Sequence, residues 1–256
     1  PGMNAAVRAV VRYAIPRGLD VVGIERGYHG LINNQIIPLD LRSVGGIIHL
    51  GGTILKTARC PEFKTSEGLE KGAETLRENE IDGLIVVGGD GSFKGALELQ
   101  KVIDLPIIGV PATIDNDVAG TDETIGFDTA VNTALQAIDK IRDTASSHDR
   151  IFVVEVMGRE RGFIALEVGL TAGAGIILIP EIGFDLDDVC SKLKTYEEWG
   201  KTTTIIVAAE GIGDTSKVAD YIRRNTHFEV RLTILGHVQR GGSPTARSRL
   251  IADLFG

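Results

Sequence analysis

The sequence predicts an α/β protein with parallel sheets and helices on both sheet faces, arranged as two domains. Three observations point there. Short β-branched runs alternate with helix-length stretches along the 256 residues. The runs are nearly continuous in apolar residues, as strands covered on both faces are. Glycine-, acid- and arginine-rich loops then follow strand after strand, at the carboxyl edge where open parallel sheets bind ligands.

Taken in order, the chain opens PGMNAAVRAVVRYAI, a helical pattern over 3–15, followed by a strand over 20–25. A helix over 65–78 precedes a strand over 83–87, whose Leu84-Ile85-Val86-Val87 is an unbroken β-forming run. A helix over 92–102 and a strand over 106–110 follow. The long stretch 128–145 keeps Val131, Leu135, Ile138 and Ile141 at helical spacing and reads as the bridge into a second domain. Strands over 151–156, 175–179, 203–208 and 229–235 then alternate with helices over 160–171, 186–199 and 216–225. The expected division is 1–126, continued by 239–256, and 127–238, each half Rossmann-like. The chain starts on a helix and stops at Leu254-Phe255-Gly256 in mid-helix, so a fragment lacking both ends is expected.

Composition excludes several classes. With 43% hydrophobic and 24% charged residues the chain is an ordinary globular protein, and its net charge of −8 argues against a nucleic-acid surface. Its apolar runs are strand-sized, too short for a bilayer, and no signal-peptide pattern opens it. Cys60 and Cys190 belong to no CxxC or Cys/His cluster, which suggests neither zinc nor a disulfide framework and fits a reducing cytosol.

The strand-end loops carry the chemistry. GGDGS (88–92) places bare backbone between a strand and a helix, so that amides at the helix start face an anion such as a phosphate. Asp90 would repel that phosphate directly, and serves it best by holding Mg²⁺, a hard cation that takes oxygen ligands. The structural alternative is a turn in which Asp90 merely caps the helix. PATIDND (111–117) adds Asp115, Asn116 and Asp117 after the next strand, and the three carboxylates are expected to converge on one sheet edge. Phosphoryl transfer to an alcohol needs a metal holder, a proton acceptor and cationic stabilisation, and acids supply the first two. Cations stand at Arg59 in GGTILKTARCPEF (51–63), Arg159 and Arg161 in MGRERG (157–162), and His237 and Arg240 in LGHVQRGGSP (235–244). Arg150 and Arg231 lie at or near strand starts, away from those loops. Glu210 closes a strand, either to meet sugar hydroxyls or to cap the helix over 216–225.

PGMNAAVRAVVR, GGTILKTARCPEF, GGDGS, PATIDNDVAGTDETIGFDTA, KIRDTASSHDR, VVEVMGR and LGHVQRGGSP, in this order and spacing, resemble the bacterial 6-phosphofructokinase family over essentially the whole chain. The resemblance implies ATP-dependent phosphorylation of fructose 6-phosphate, in the cytoplasm. It implies that Asp90 holds Mg²⁺, with Gly89, Gly91 and Ser92 against the nucleotide phosphates and Cys60 beside the nucleotide. Arg59 would stabilise the moving phosphoryl group, Asp115 would be the base, Thr113 would lie near the γ-phosphate, and Asp117 would support the metal's water shell. Ile114, Met157, Gly158, Arg159, Glu210, His237, Val238, Gln239 and Arg240 would line the sugar site. Arg150 and Arg231 would reach the 6-phosphate of a neighbouring subunit, implying an oligomer, in this family usually a tetramer.

Three alternatives were weighed against this. A pyrophosphate-dependent relative carries Asp in place of Gly91 and Lys in place of Ala112; the residues here favour ATP. NAD and lipid kinases share GGDG but lack PATIDND and LGHVQRGGSP. A degenerate binding module would have lost Asp90, Asp115 or Arg59. The resemblance also implies an effector site for ADP or phosphoenolpyruvate at Arg8, Arg12, Arg142 and Lys201. Leu41, Gly175, Trp199 and Thr202 depart from its charged pattern, and Arg42 is a partial substitute, so weak effector response is expected.

Overall fold

The computed structural model describes residues 1–145, 150–201 and 203–256. Residues 146–149 of the KIRDTASSHDR stretch and Thr202 lie outside the described residues. In chain order the elements are α1 (Met3–Ala14), β1 (Val21–Ile24), α2 (Tyr28–Ile32), β2 (Ile36–Leu39), α3 (Ser66–Glu78), β3 (Leu84–Gly88), α4 (Asp90–Leu99) and β4 (Ile107–Pro111). They continue with α5 (Phe127–Ala145), β5 (Arg150–Val156), α6 (Phe163–Thr171), β6 (Ile176–Leu178), α7 (Leu186–Glu198), β7 (Thr204–Ala209), α8 (Thr215–Asn225), β8 (Glu229–Ile234) and α9 (Ala246–Phe255).

Two compact units result. The first comprises Pro1–Thr113, Asp117–Gly126 and Gly242–Gly256; the second comprises Ile114–Asn116 and Phe127–Gly241. The return to the first unit falls at Gly242, three residues after the expected 239. The reason is Gln239, fully buried within the second unit, whose side chain accepts from the Met157 N–H at 3.3 Å and donates to the Gly236 carbonyl at 3.0 Å.

The second unit is a four-stranded parallel sheet in the order β6-β7-β5-β8. Strand periodicity decides its faces. Val154, Val156, Ile205, Val207 and Ala209 pack under α5 and α6, while Ile151, Val153, Ile206 and Ala208 pack under α7 and α8. All six residues of β7 are buried, which explains its unbroken apolar run. Side chains start the helices on the second face: Asp185 caps α7 and Asp214 caps α8. After β5 the chain leaves to α6 on one face, and after neighbouring β7 it leaves to α8 on the other. The carboxyl ends of β5 and β7 are therefore a topological switch point, where diverging loops open a crevice.

In the first unit β3 and β4 pair in parallel, with Gly88 opposite Pro111. Leu84 and Ile107 face Leu76 of α3 and Leu99 of α4, while Val87 and Val110 face Ala5 and Ala6 of α1 and Ile251 of α9. Thr65 caps α3 by accepting from the Gly68 N–H at 3.1 Å. The strand expected over 20–25 does not join a parallel sheet. It forms β1, which pairs antiparallel with β2, Val21 opposite Leu39 and Ile24 opposite Ile36. β2 was not expected: Pro38 donates no ladder hydrogen bond, and its neighbours are too few to show alternation. Five-residue α2 is equally short for a helical period.

Candidate functional site

In the first unit the Gly88–Ser92 turn joins β3 to α4. The helix begins at Asp90, two residues earlier than the pattern suggested, with Gly89 as cap residue and no side-chain cap. Asp90 is thus inside the first turn, and capping does not account for it. A helix start without a side-chain cap leaves its first N–H groups available to an anion. The turn is held by backbone and close packing: the Ala112 N–H donates to the Gly88 carbonyl at 2.8 Å, and a Cβ at Gly89 would lie 3.2 Å from that of Thr113. Gly91 differs. A Cβ there meets nothing within 4 Å and its φ is not positive, so neither packing nor conformation calls for glycine. Its bare backbone leaves open space beside the turn.

Asp90 pairs with Lys94 at 2.7 Å, one helical turn on, and this hydrogen bond holds the Lys94 ammonium above its usual range, with the Asp117 charge adding to the effect. Thr113 completes the strand end, accepting at its carbonyl from the Thr124 hydroxyl at 2.6 Å. No group of three His, Cys, Asp or Glu side chains among the described residues could hold a metal alone. One exposed carboxylate beside phosphate-accepting amides instead fits Mg²⁺ that arrives with a polyphosphate, since that ion keeps most of its waters and phosphates as ligands. Asp90 would hold it, in competition with Lys94.

Arg59 is exposed at the end of the 51–60 segment, which forms irregular turns rather than a β-like run, and Cys60 is half-buried against the α3 cluster. Sequence reasoning missed an aromatic pair here. Tyr28 stacks on Phe63 with ring centroids 4.0 Å apart, and its hydroxyl donates to the Ser92 carbonyl. Burial raises the Tyr28 phenol far above its usual range, so it stays a donor. Isolated aromatics in irregular segments leave no periodic signal.

In the second unit four chain segments meet at the switch point. Asp115, 3% exposed, takes the Arg159 Nε at 3.0 Å. The Arg159 and Gly158 N–H groups both donate to one Glu210 oxygen, at 2.6 and 3.1 Å. The Met157 N–H donates to Gln239, and the Arg161 N–H closes the turn on the Gly158 carbonyl at 2.9 Å. Asn116 and Arg159 both stand in the left-handed region, φ 53°, where residues with side chains are uncommon, and Gly158 has φ 144°. Glu210 is thus a loop holder here; α8 has its own cap in Asp214, so the capping alternative fails.

Asp90 and Asp117 belong to the first unit and Asp115 to the second. The side chains of Ile114 and Met157 are in the hydrophobic cluster under α5 and α6, and the side chain of Gln239 is engaged by backbone, so each anchors the loop it stands in. His237, Val238 and Arg240 are exposed on the short helical turn after β8.

Arg150 and Arg231 are elsewhere. Arg150 opens β5 and Arg231 lies opposite Phe152, so roughly 20 Å and roughly 16 Å of strand, at about 3.3 Å per residue, separate them from Met157. Both hold one carboxylate: Arg150 Nε reaches Glu229 Oε2 at 2.8 Å, and Arg231 bonds Glu229 Oε1.

The residues of the expected effector site divide as well. Arg8 and Arg12 are on α1 of the first unit, while Arg142 on α5 donates to the Ala172 carbonyl. Lys201 lies over the Tyr196 ring, 4.8 Å from its centroid. At Gly175 a Cβ would meet Thr204 Cγ2 at 2.7 Å, with Lys201 Nζ and Tyr196 at 3.2 Å, so a glutamate there would force that packing apart.

Residues 1–256 match the family model described as phosphofructokinase. The chain is 57% identical over 256 residues to the ATP-dependent 6-phosphofructokinase of Bacillus pumilus, covering all of this chain and 80% of that protein. Among solved structures it resembles phosphofructokinase from Saccharomyces cerevisiae, with TM-score 0.92 and 39% identity over 99% of this chain and 38% of that one. It likewise resembles Pichia pastoris phosphofructokinase, with TM-score 0.94 and 38% identity over 99% of this chain and 32% of that one.

Proposed function

This chain belongs to the phosphofructokinase family, and on that premise we propose how its residues divide the work of an ATP-dependent 6-phosphofructokinase. The reaction moves the γ-phosphoryl group of ATP to the 1-hydroxyl of fructose 6-phosphate, giving fructose 1,6-bisphosphate and ADP. The first unit serves the nucleotide. Gly89, Gly91 and Ser92 lie against its phosphates, and Cys60 flanks it. Arg59 stabilises the charge of the transferring group, and Thr113 lies near it. Asp90 would hold the Mg²⁺ that travels with ATP, with Asp117 beside it, and the metal would supply charge that offsets the phosphates.

The second unit serves the sugar. Asp115 takes the proton of the 1-hydroxyl as its oxygen bonds to phosphorus. Arg159 orients that carboxylate, and Glu210 holds the Gly158-Arg159 turn in its left-handed form. His237 and Arg240 bind the same sugar. Arg150 and Arg231 are too far along β5 to share in it, and serve the 6-phosphate of a sugar held by a neighbouring subunit in a homo-oligomer, a tetramer in this reading. The observation that supports the scheme best is the ion pair between the buried Asp115 carboxylate and the exposed Arg159 guanidinium, because a base held this way is aimed without needing the ligand. The enzyme would work in the cytoplasm, and no helix among the described residues is long and apolar enough to cross a membrane.

Formation of fructose 1,6-bisphosphate from fructose 6-phosphate, coupled to an indicator enzyme and run with ATP or with pyrophosphate as donor, tests the reading. Turnover with ATP and none with pyrophosphate is expected. Pyrophosphate turnover would transfer the reading to the pyrophosphate-dependent class, and no turnover with either would leave a binding module.

A further inference from the structure

Glu229 is absent from every role above, yet it is the partner of both arginines assigned to the 6-phosphate. Strand pairing sets the arrangement: Arg150 of β5 lies directly opposite Glu229 of β8, and Arg231, two residues on, faces the same side. Each arginine takes a different oxygen of the one carboxylate, Arg150 at Oε2 and Arg231 at Oε1. Two guanidinium groups gripping two oxygens of one anion is also how a phosphate monoester is held.

We propose that Glu229 is an internal competitor for the two-arginine anion site, which an incoming phosphate monoester must displace, and that it thereby sets the affinity for fructose 6-phosphate. This rests on the assignment of Arg150 and Arg231 to the 6-phosphate. The carboxylate is ready to compete at any working pH, because the Arg150 hydrogen bond and the nearby arginine charges hold its proton affinity below the usual carboxylate range, against a smaller opposing effect of burial. All three side chains retain water contact, so exchange of one anion for another needs no unfolding. The trio carries a net charge of one plus; without the carboxylate it carries two, which favours a dianion. Glu229 also keeps the arginines paired when no phosphate is present, which limits their repulsion.

The test is Glu229→Gln, which keeps size and one acceptor oxygen but removes the charge. The half-saturating concentration of fructose 6-phosphate should fall about three- to tenfold, the scale of coupling between partly exposed charges, while that of ATP stays in place. Inorganic phosphate should inhibit the variant competitively with the sugar at correspondingly lower concentration. In an Arg231→Ala background the Glu229→Gln effect should shrink to less than half. An unchanged or raised half-saturation in Glu229→Gln, with Arg231→Ala alone raising it strongly, overturns the competitor role and makes Glu229 a positioning residue for arginines that do bind phosphate. If Arg150→Ala and Arg231→Ala leave fructose 6-phosphate half-saturation where it was, the underlying assignment of the arginines is what fails.

Discussion

The two units solve the same problem, a ligand site at strand ends, with different degrees of commitment. In the second unit side chains fasten the loops: Glu210 takes two backbone N–H groups, Gln239 takes a third, and the buried Asp115 carboxylate pairs with the exposed Arg159 guanidinium. Beneath them the sheet has fully buried central residues. In the first unit the Gly88–Ser92 turn is held by backbone, and its charged pair, Asp90 with Lys94, is exposed. Its two-stranded sheet leaves Ile85 and Ile108, partners in register, 42% and 60% exposed. On the proposed assignment, the difference matches a base that must be aimed before the substrate arrives and a nucleotide that brings much of its own charge and geometry with its metal.

The comparison breaks most clearly at the base. Asp115→Ser should lower kcat by about two orders of magnitude or more, with little change in fructose 6-phosphate half-saturation, because the proton acceptor is lost while Glu210 still holds the Arg159 backbone. Steady-state kinetics of the purified variant decide it; unchanged kcat removes Asp115 from the chemistry. The underlying sheets differ next. Ile206→Ala, at a fully buried position of β7, should cost about 2–5 kcal/mol in denaturant unfolding, whereas Ile85→Ala should cost under about 1 kcal/mol. Equal losses would mean that the exposed face of β3 is covered in the working protein.

On the nucleotide side, Gly91→Asp should raise ATP half-saturation about tenfold without loss of thermal stability, since a side chain there meets no neighbour and a carboxylate faces the phosphates. A stable variant with unchanged ATP kinetics would break the argument that Gly91 is reserved for a ligand. The smallest effect is expected for effectors. ADP or phosphoenolpyruvate at sub-millimolar concentration should move fructose 6-phosphate half-saturation less than about twofold, because Gly175 is closed by Tyr196, Lys201 and Thr204 and Leu41 offers no charge. A large shift in either direction would show that Arg8, Arg12 and Arg142 suffice.

Much of this was legible in the chain itself, for physical reasons that can be named. The apolar runs of β3, β5 and β7 and the spacing of Val131, Ile138 and Ile141 in α5 report burial by period alone, and periods are local. GGDGS and PATIDND show their chemistry because bare backbone and clustered acids at strand ends have few structural explanations. The tertiary structure decided what depends on segments distant in sequence. It paired β1 with β2, assigned Asp115 and Asp117 to different units although one residue separates them, and buried the side chains of Ile114, Met157 and Gln239. It also joined Arg150, Glu229 and Arg231 across two strands. Strand pairing and side-chain burial are settled by packing against residues tens of positions away, and no local pattern carries that information.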